Sequence, residues 1–242
     1  GALLPDFEWT RTRWTSAPFC SWEGDWESLH KHGPSWFREM RKRRRRFFKD
    51  GGTATRLSGA EAIARLEAVA AIERESWKGR RASTRLQQGT GQEILRHALA
   101  TLGERGELQL WLAEVDGRAI AFQIDFVLPG RLLHYQCAFD ARFGSRRAGA
   151  VLAYLSLEHG WEAGIREFDY LTGDEPYKLQ RTNATRPIYQ LAAYRRTLRG
   201  KVAYWQLVGA RSHLRQVKAL RAVHAGFAWL RRWAGRLDAA HP

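Results

Sequence analysis

Three strand-like segments separated by two two-residue turns constrain this chain more than any other feature. Glu107–Val115, Arg118–Leu128 and Arg131–Phe139 are joined by Asp116-Gly117 and Pro129-Gly130. Loops this short connect antiparallel neighbours, so the spacing predicts a three-stranded meander. Turn length also fixes register. With Pro129-Gly130 as the whole loop, Leu128 faces Arg131, Asp125 faces His134 and Gln123 faces Gln136. Alternate residues share a face. Gln123, Asp125, His134 and Gln136 are therefore expected to form one polar cluster. Trp111, Phe122, Ile124, Phe126, Leu133, Tyr135 and Cys137 are expected to form the core on the other side.

The flanking pattern is mixed. Residues 36–48 read as a helix with Ser35 as N-cap and Glu39 placed for a capping box one residue later. The helix carries the run Arg41-Lys42-Arg43-Arg44-Arg45-Arg46 and ends at Asp50-Gly51-Gly52. Thr53–Leu57 reads as a strand, Ser58 as the cap of a helix reaching about Trp77, and Gly91–Leu102 as a further helix, with a loop at Gly79-Arg80-Arg81 between them. Past the meander, Arg147–Ala163 reads as a helix stopped by Gly164, and Arg166–Leu171 as a strand. A strand, a crossover helix and a second strand make a βαβ unit, which is right-handed. The loop Thr172–Pro187 leads to a last strand near Ile188–Arg195, and a basic amphipathic helical region covers Gly200–Leu237. Residues 1–35, with Trp9, Trp14, Trp22 and Trp26, read as an irregular arm left by a preceding half. The expected division is thus 1–35, 36–199 and 200–242.

Composition narrows the partners. Of 242 residues, 44% are hydrophobic, enough for a substantial core. Two cysteines, Cys20 and Cys137, exclude a disulfide framework or a cysteine metal cluster, and Cys137 reads as a buried thiol. No metal is expected, and neither a zinc pattern nor a nucleotide P-loop is present. Pro5, Asp6 and Glu8 interrupt any apolar leader, and no run suits a bilayer span. The expected location is the reducing cytoplasm, with the inner membrane face as a peripheral alternative. The net charge of +15 points to anionic partners: cofactor phosphates, tRNA or a membrane surface, met by Arg41–Arg46 and the C-terminal helix, or else simply to solvated arginines. Consecutive arginines point all around a helix, so the run is not a one-sided groove reader.

This order of elements resembles the GNAT (Gcn5-related) acyltransferase fold, and two motifs carry the resemblance. The first is Phe143-Gly144-Ser145-Arg146-Arg147-Ala148-Gly149-Ala150-Val151 at the start of the crossover helix. Arg146 and Gly149 fit the family's loop pattern, while Val151 departs from its small final residue. The second is Glu167-Phe168-Asp169-Tyr170-Leu171-Thr172-Gly173-Asp174-Glu175-Pro176-Tyr177-Lys178, which resembles the cellulose-biosynthesis-type acetyltransferases and the related Fem-type aminoacyl transferases. The basic helix Arg41–Arg46 resembles the same branch, as does the small-residue start of the crossover helix, where Ala148 stands in place of the usual proline.

The resemblance spans about residues 36–200 and implies an α/β (α+β) fold: a mixed sheet with an antiparallel meander, a crossover helix and splayed later strands, plus basic terminal helices. It implies acyl-CoA as co-substrate, acetyl-CoA first, with its pyrophosphate on the N–H groups of Ser145, Arg146, Arg147, Ala148, Gly149 and Ala150. A helix N-terminus offers such donors together with a positive dipole end. The implied reaction moves an acyl group to an amine of a small molecule, a peptide or a cell-envelope acceptor by direct attack of the amine. A Fem-like use of aminoacyl-tRNA and a non-catalytic basic module are the alternatives.

Asp169 is either base and amine anchor or the cap of the next turn. Glu175 is a second carboxylate candidate or a surface residue. Tyr177 either protonates the leaving thiolate or packs, and Lys178 binds a phosphate or carboxylate or snorkels. Asp125 beside His134 makes the ring a better base or forms a buried polar pair. Gln123, Gln136, Gly173 and Asp174 are expected near the acceptor.

Overall fold

The computed structural model describes residues 6–77, 90–173 and 175–205. Two compact units emerge, one formed by residues 14–188 and the other by residues 6–13 with 189–205.

The larger unit is built on an open, mostly antiparallel sheet. In chain order its strands are β1 (Phe7–Ser21), β2 (Gly52–Leu57), β3 (Leu108–Val115), β4 (Arg118–Leu128), β5 (Arg131–Phe139), β6 (Glu167–Asp169) and β7 (Ala184–Arg195). The spatial order is β2-β3-β4-β5-β6-β1-β7. The helices are α1 (Trp26–His32), α2 (Ser35–Lys49), α3 (Gly59–Ala64), α4 (Leu66–Glu75), α5 (Thr90–Leu102), α6 (Ala148–Glu162), α7 (Pro176–Leu179) and α8 (Leu198–Tyr204).

The meander forms as expected, closed by Gly117 and Gly130 at φ 72 each, where only glycine sits without strain. Apolar residues of alternate parity leave through its two faces. Leu108, Leu110, Leu112, Phe122 and Ile124 pack on α4 and α5. Trp111, Ala113 and Ala121 pack on Ala148, Val151, Leu152 and Leu155 of α6. Both faces are covered, so the first half of α6 is largely apolar, with Ser156 fully buried in the middle of the helix.

Several expectations are corrected. Residues 7–21 are not irregular: they form β1, which pairs antiparallel with β6 through Phe19↔Asp169 and Cys20↔Phe168. Trp26 and Trp36 join His30, Phe37, Tyr154 and Trp161 in an aromatic cluster beneath α6. Pro34 rather than Ser35 precedes α2 without a side-chain cap, and Glu39 bonds Arg43 instead of closing a capping box. The expected helix after Ser58 breaks at Arg65 into α3 and α4. Of the expected 200–237 helix, α8 covers the start; residues 206–237 lie outside the described set, as do Gly79, Arg80, Arg81 and Asp174. Among the described residues no helix is long and apolar enough to cross a membrane.

The register departs from turn counting at one place. Leu128↔Arg131 and Asp125↔His134 pair as expected, but the next pairs are Ile124↔Gln136 and Gln123↔Cys137. Tyr135 is the extra residue of a β-bulge. It is exposed, with its ring 5.3 Å from Phe126, and Cys137 is only partly buried, so neither belongs to the core. Gln136 moves to the opposite face from Gln123, where its Nε2 donates to Glu73 of α4.

In the smaller unit, the Arg11 guanidinium lies 3.6 Å from the Tyr189 ring centre and the Arg196 N–H donates to the Asp6 carbonyl. Thr197 caps α8, and Tyr194 meets Tyr204 edge-on.

Candidate active site

The site is set by where β5 and β6 part. They pair in parallel through Arg131↔Glu167, Leu132↔Phe168 and Leu133↔Asp169 only. Beyond Leu133, β5 runs on to Phe139 with no β6 partner, while the chain at Leu171 turns off through a left-handed residue, φ 56. A notch opens at the carboxyl ends of these strands. The 141–146 turn carries the chain from β5 into α6, so the N-terminus of α6 stands at the same end of the sheet. Asp140 holds that turn by accepting from the Arg142 N–H at 3.0 Å; the Arg142 side chain beside it keeps the Asp140 carboxyl below its ordinary range.

Arg147 starts α6 in the left-handed region, φ 55 and ψ 26. The first-turn N–H groups of Ala148 and Gly149 have no partner in the helix ladder. A Cβ on Gly149 would make ordinary contact with the Phe139 ring at 3.7 Å, so this backbone packs beside Phe139 without crowding. Ser145 and Arg147 are exposed, whereas Arg146 reaches back to the Asp50 carboxylate at 3.6 Å. Arg147 makes no ion pair among the described residues and is the cation left to meet a phosphate.

Below the notch lies a buried polar cluster. Asp125 Oδ1 is 3.0 Å from His134 Nδ1, and its Oδ2 accepts from Gln123 Nε2 at 2.8 Å and Ser156 Oγ at 2.6 Å. Gln109 Nε2 donates to the same serine. Gln123, Leu132, His134, Ala153, Leu157, Phe168, Asp169 and Tyr170 line a small cavity between sheet and α6. Burial alone would lower the His134 pKa, but the Cys137 sulfur and then the Asp125 carboxylate outweigh it and raise the value to about 9. Ser156, Gln109 and Cys137 were not singled out as site residues from sequence. Ser156 carried a signal, as a small hydroxyl residue among the large apolar side chains of Val151–Leu157.

The second motif is largely committed to shaping its own loop. Asp169 Oδ1 accepts from the Leu171 N–H at 2.7 Å and Oδ2 lies 3.7 Å from Arg186, so the turn-capping alternative describes its contacts. Buried Lys178 donates to the Thr172 carbonyl at 2.6 Å and pairs with Glu175 at 2.9 Å, which leaves it unsuited to a phosphate. Glu175 is desolvated, yet the Lys178 bond holds its pKa below the ordinary value. Gly173, φ 109, faces the Glu175 carboxyl where a Cβ would collide at 2.5 Å. Tyr177 is half-exposed, and its hydroxyl pKa is raised by burial first and by Cys137 next.

The basic helix is mostly paired. Arg41 bonds Glu27, Arg43 bonds Glu39, Arg44 bonds Glu158 and Arg46 lies near Asp50, leaving Lys42 and Arg45 without an ion pair among the described residues. Among the described residues no group of three His, Cys, Asp or Glu side chains is placed to hold a metal ion.

The family model described as the acetyltransferase (GNAT) domain matches residues 35–179, from the basic helix through α7. The chain belongs to the GNAT acetyltransferase family. Its fold is similar to that of FemX, with TM-score 0.59, 11% identity, and coverage of 85% of this chain and 66% of that one. It is also similar to the C-terminal domain of a putative lysylphosphatidylglycerol synthetase from Agrobacterium fabrum, with TM-score 0.56, 12% identity, and coverage of 76% and 61%. For L-PGS from Bacillus licheniformis the values are 0.51, 14%, 78% and 63%. This GNAT chain therefore spans just under two thirds of those chains. A search of curated proteins finds no significant match.

Proposed function

We propose that this GNAT domain transfers an acyl group from acyl-CoA to the amine of a small-molecule, peptide or cell-envelope acceptor. The observation that carries the reading is the opening of α6 on left-handed Arg147 beside the β5–β6 notch, with the first-turn N–H groups of Ala148 and Gly149 outside the helix ladder. Such a start offers backbone donors and a helix dipole to a pyrophosphate, and Arg147 adds a free cation. From there the pantetheine arm enters the notch and brings the thioester over His134 and Tyr177.

Amine acylation needs positioning, a proton route and stabilisation of the developing oxyanion more than covalent help. Tyr177 stays protonated, and its raised pKa suits it to donate a hydrogen bond within the notch rather than to give up its proton. Asp169 acts by holding the turn that shapes the notch. The test is calorimetric titration with acetyl-CoA and CoA at moderate salt, alongside an Arg146→Glu, Arg147→Glu variant. Saturable binding by the intact protein, lost in the variant, is expected; no binding by the intact protein removes the donor assignment.

The fold similarity to FemX and the +15 charge favour a second reading, an aminoacyl-tRNA donor. Tight tRNA binding with a steep salt dependence, in place of acetyl-CoA binding, selects it.

A further inference from the structure

Charge is unevenly spread along this chain. From Arg195 to Leu237 the sequence carries eleven lysines and arginines and no aspartate or glutamate, interleaved with large apolar residues that include Trp205, Phe227, Trp229 and Trp233. A merely solvated surface intersperses both signs, so a tract of one sign points to an anionic partner.

The described start of the tract shows how its two residue types are sorted. Thr197 Oγ1 caps α8 by accepting from the Gly200 N–H at 3.2 Å. Gly200 is pressed against the end of β7, where a Cβ would stand 2.0 Å from the Arg195 carbonyl oxygen. Tyr204 meets Tyr194 edge-on, with ring centres 5.2 Å apart. These contacts fix the inner side of the helix, and Trp205 continues it with φ −62 and ψ −39. Leu198, Val202 and Trp205 follow the i, i+4, i+7 spacing of a single stripe on the other side. They are 82%, 51% and 76% exposed. Arg199 and Lys201 flank that stripe, one on each side, roughly 60–100° around the helix. Arg195, Arg196, Arg199 and Lys201 are all exposed and form no ion pair among the described residues.

The partner must satisfy both halves of this pattern. A polynucleotide offers phosphates and stackable bases but no apolar interior for Leu198 and Val202 to enter. A second protein surface could cover the stripe but gives no reason for a tract without a single carboxylate. A bilayer with acidic headgroups offers both, in the order in which the helix presents them: aliphatic side chains below the headgroups, tryptophan at the boundary and cations beside the phosphates.

We propose that α8 is an interfacial anchor. Leu198, Val202 and Trp205 enter the headgroup–acyl boundary of an anionic membrane, and Arg199 and Lys201 meet its phosphates, with Arg195 and Arg196 adding to the attraction. The anchor does not depend on which acyl donor the domain uses. An amine acceptor carried in that membrane is concentrated around the anchored domain.

The test is co-sedimentation of the whole protein with vesicles of phosphatidylcholine alone and of phosphatidylcholine and phosphatidylserine in equal parts. Binding to the anionic vesicles is expected, weakening as salt rises. Binding to the neutral vesicles is expected to be weaker by about 100-fold or more, at roughly fivefold per cation near the surface. Leu198→Glu with Val202→Glu abolishes the binding, and Arg199→Ser with Lys201→Ser weakens it about 25-fold. These side chains are exposed, so the thermal midpoint stays that of the unmutated protein. If the glutamate variant melts early, the serine variant carries the test, and unchanged binding by it overturns the proposal. Absence of vesicle binding by the intact protein, or equal binding to both vesicle types, overturns it as well. Retained binding by a folded glutamate variant moves the contact off α8 and overturns the anchor. Tight tRNA binding in place of vesicle binding assigns the cations to nucleic acid, and a dimer that the glutamate variant disperses, without vesicle binding, assigns the stripe to a second copy. Either result overturns the membrane as partner.

Discussion

Gln136 Nε2 donates to Glu73 Oε1 across 2.7 Å, on the side of the sheet opposite Gln123. Both partners are buried, and the bond ties β5 to α4 behind the site. Gln136→Leu keeps the volume but removes a donor from a buried carboxylate, at a cost of about 1–3 kcal/mol. A lower urea midpoint with unchanged acetyl-CoA affinity is expected. Weakened acetyl-CoA binding without a loss of stability would show instead that Gln136 belongs to the site.

The raised pKa of His134 makes stability pH-dependent with a defined sign. Its value is about 9 in the folded chain against an ordinary 6.5, so the folded state holds the proton more tightly. The contribution, roughly 3 kcal/mol, is complete below about pH 6.5 and is lost as pH rises through about 9. Urea midpoints at pH 6 and pH 10 measure it. In Asp125→Asn the dependence should flatten, because one of the charges favouring the imidazolium is gone.

Arg147 couples backbone strain to charge. A non-glycine residue in the left-handed region costs about 1–2 kcal/mol, and Arg147 sits there at φ 55. Arg147→Gly is expected to raise thermal stability while weakening acetyl-CoA binding and flattening its salt dependence. A thermal midpoint that falls would mean that the guanidinium stabilises the turn through contacts of its own.

Lys178 fixes the loop rather than a ligand. Lys178→Met leaves the Thr172 carbonyl without its 2.6 Å donor and Glu175 without its partner. A stability loss of about 1–3 kcal/mol is expected. Added inorganic phosphate should protect wild type and variant equally in thermal melts; protection confined to wild type would return Lys178 to a phosphate-binding role.

Much of the architecture was legible because it is local. Two-residue turns, alternation and helical periodicity place the meander and α6 within a residue or two, and Leu128↔Arg131 and Asp125↔His134 pair as turn length demands. The N-terminal arm was not legible. Phe7–Ser21 carries prolines, charges and scattered tryptophans with no clean period, and it becomes a strand by docking beside β6, a partner about 150 residues away in sequence. The second motif showed which residue types lie after β6, but their bonds turned Asp169 and Lys178 toward the loop itself.

The sequence by itself determined the meander, the crossover helix and the Asp125–His134 pair, since each depends on steric rules acting over a few neighbouring residues. Only the tertiary structure decided that Tyr135 is bulged out, that Gln136 turns to Glu73 and that Cys137 joins His134. A bulge is chosen by helices packing on both faces of the sheet at once, with Ser156 of α6 reaching Asp125 on one side and Glu73 of α4 reaching Gln136 on the other. Those contacts lie between segments far apart in the chain, where alternation along a single strand carries no information.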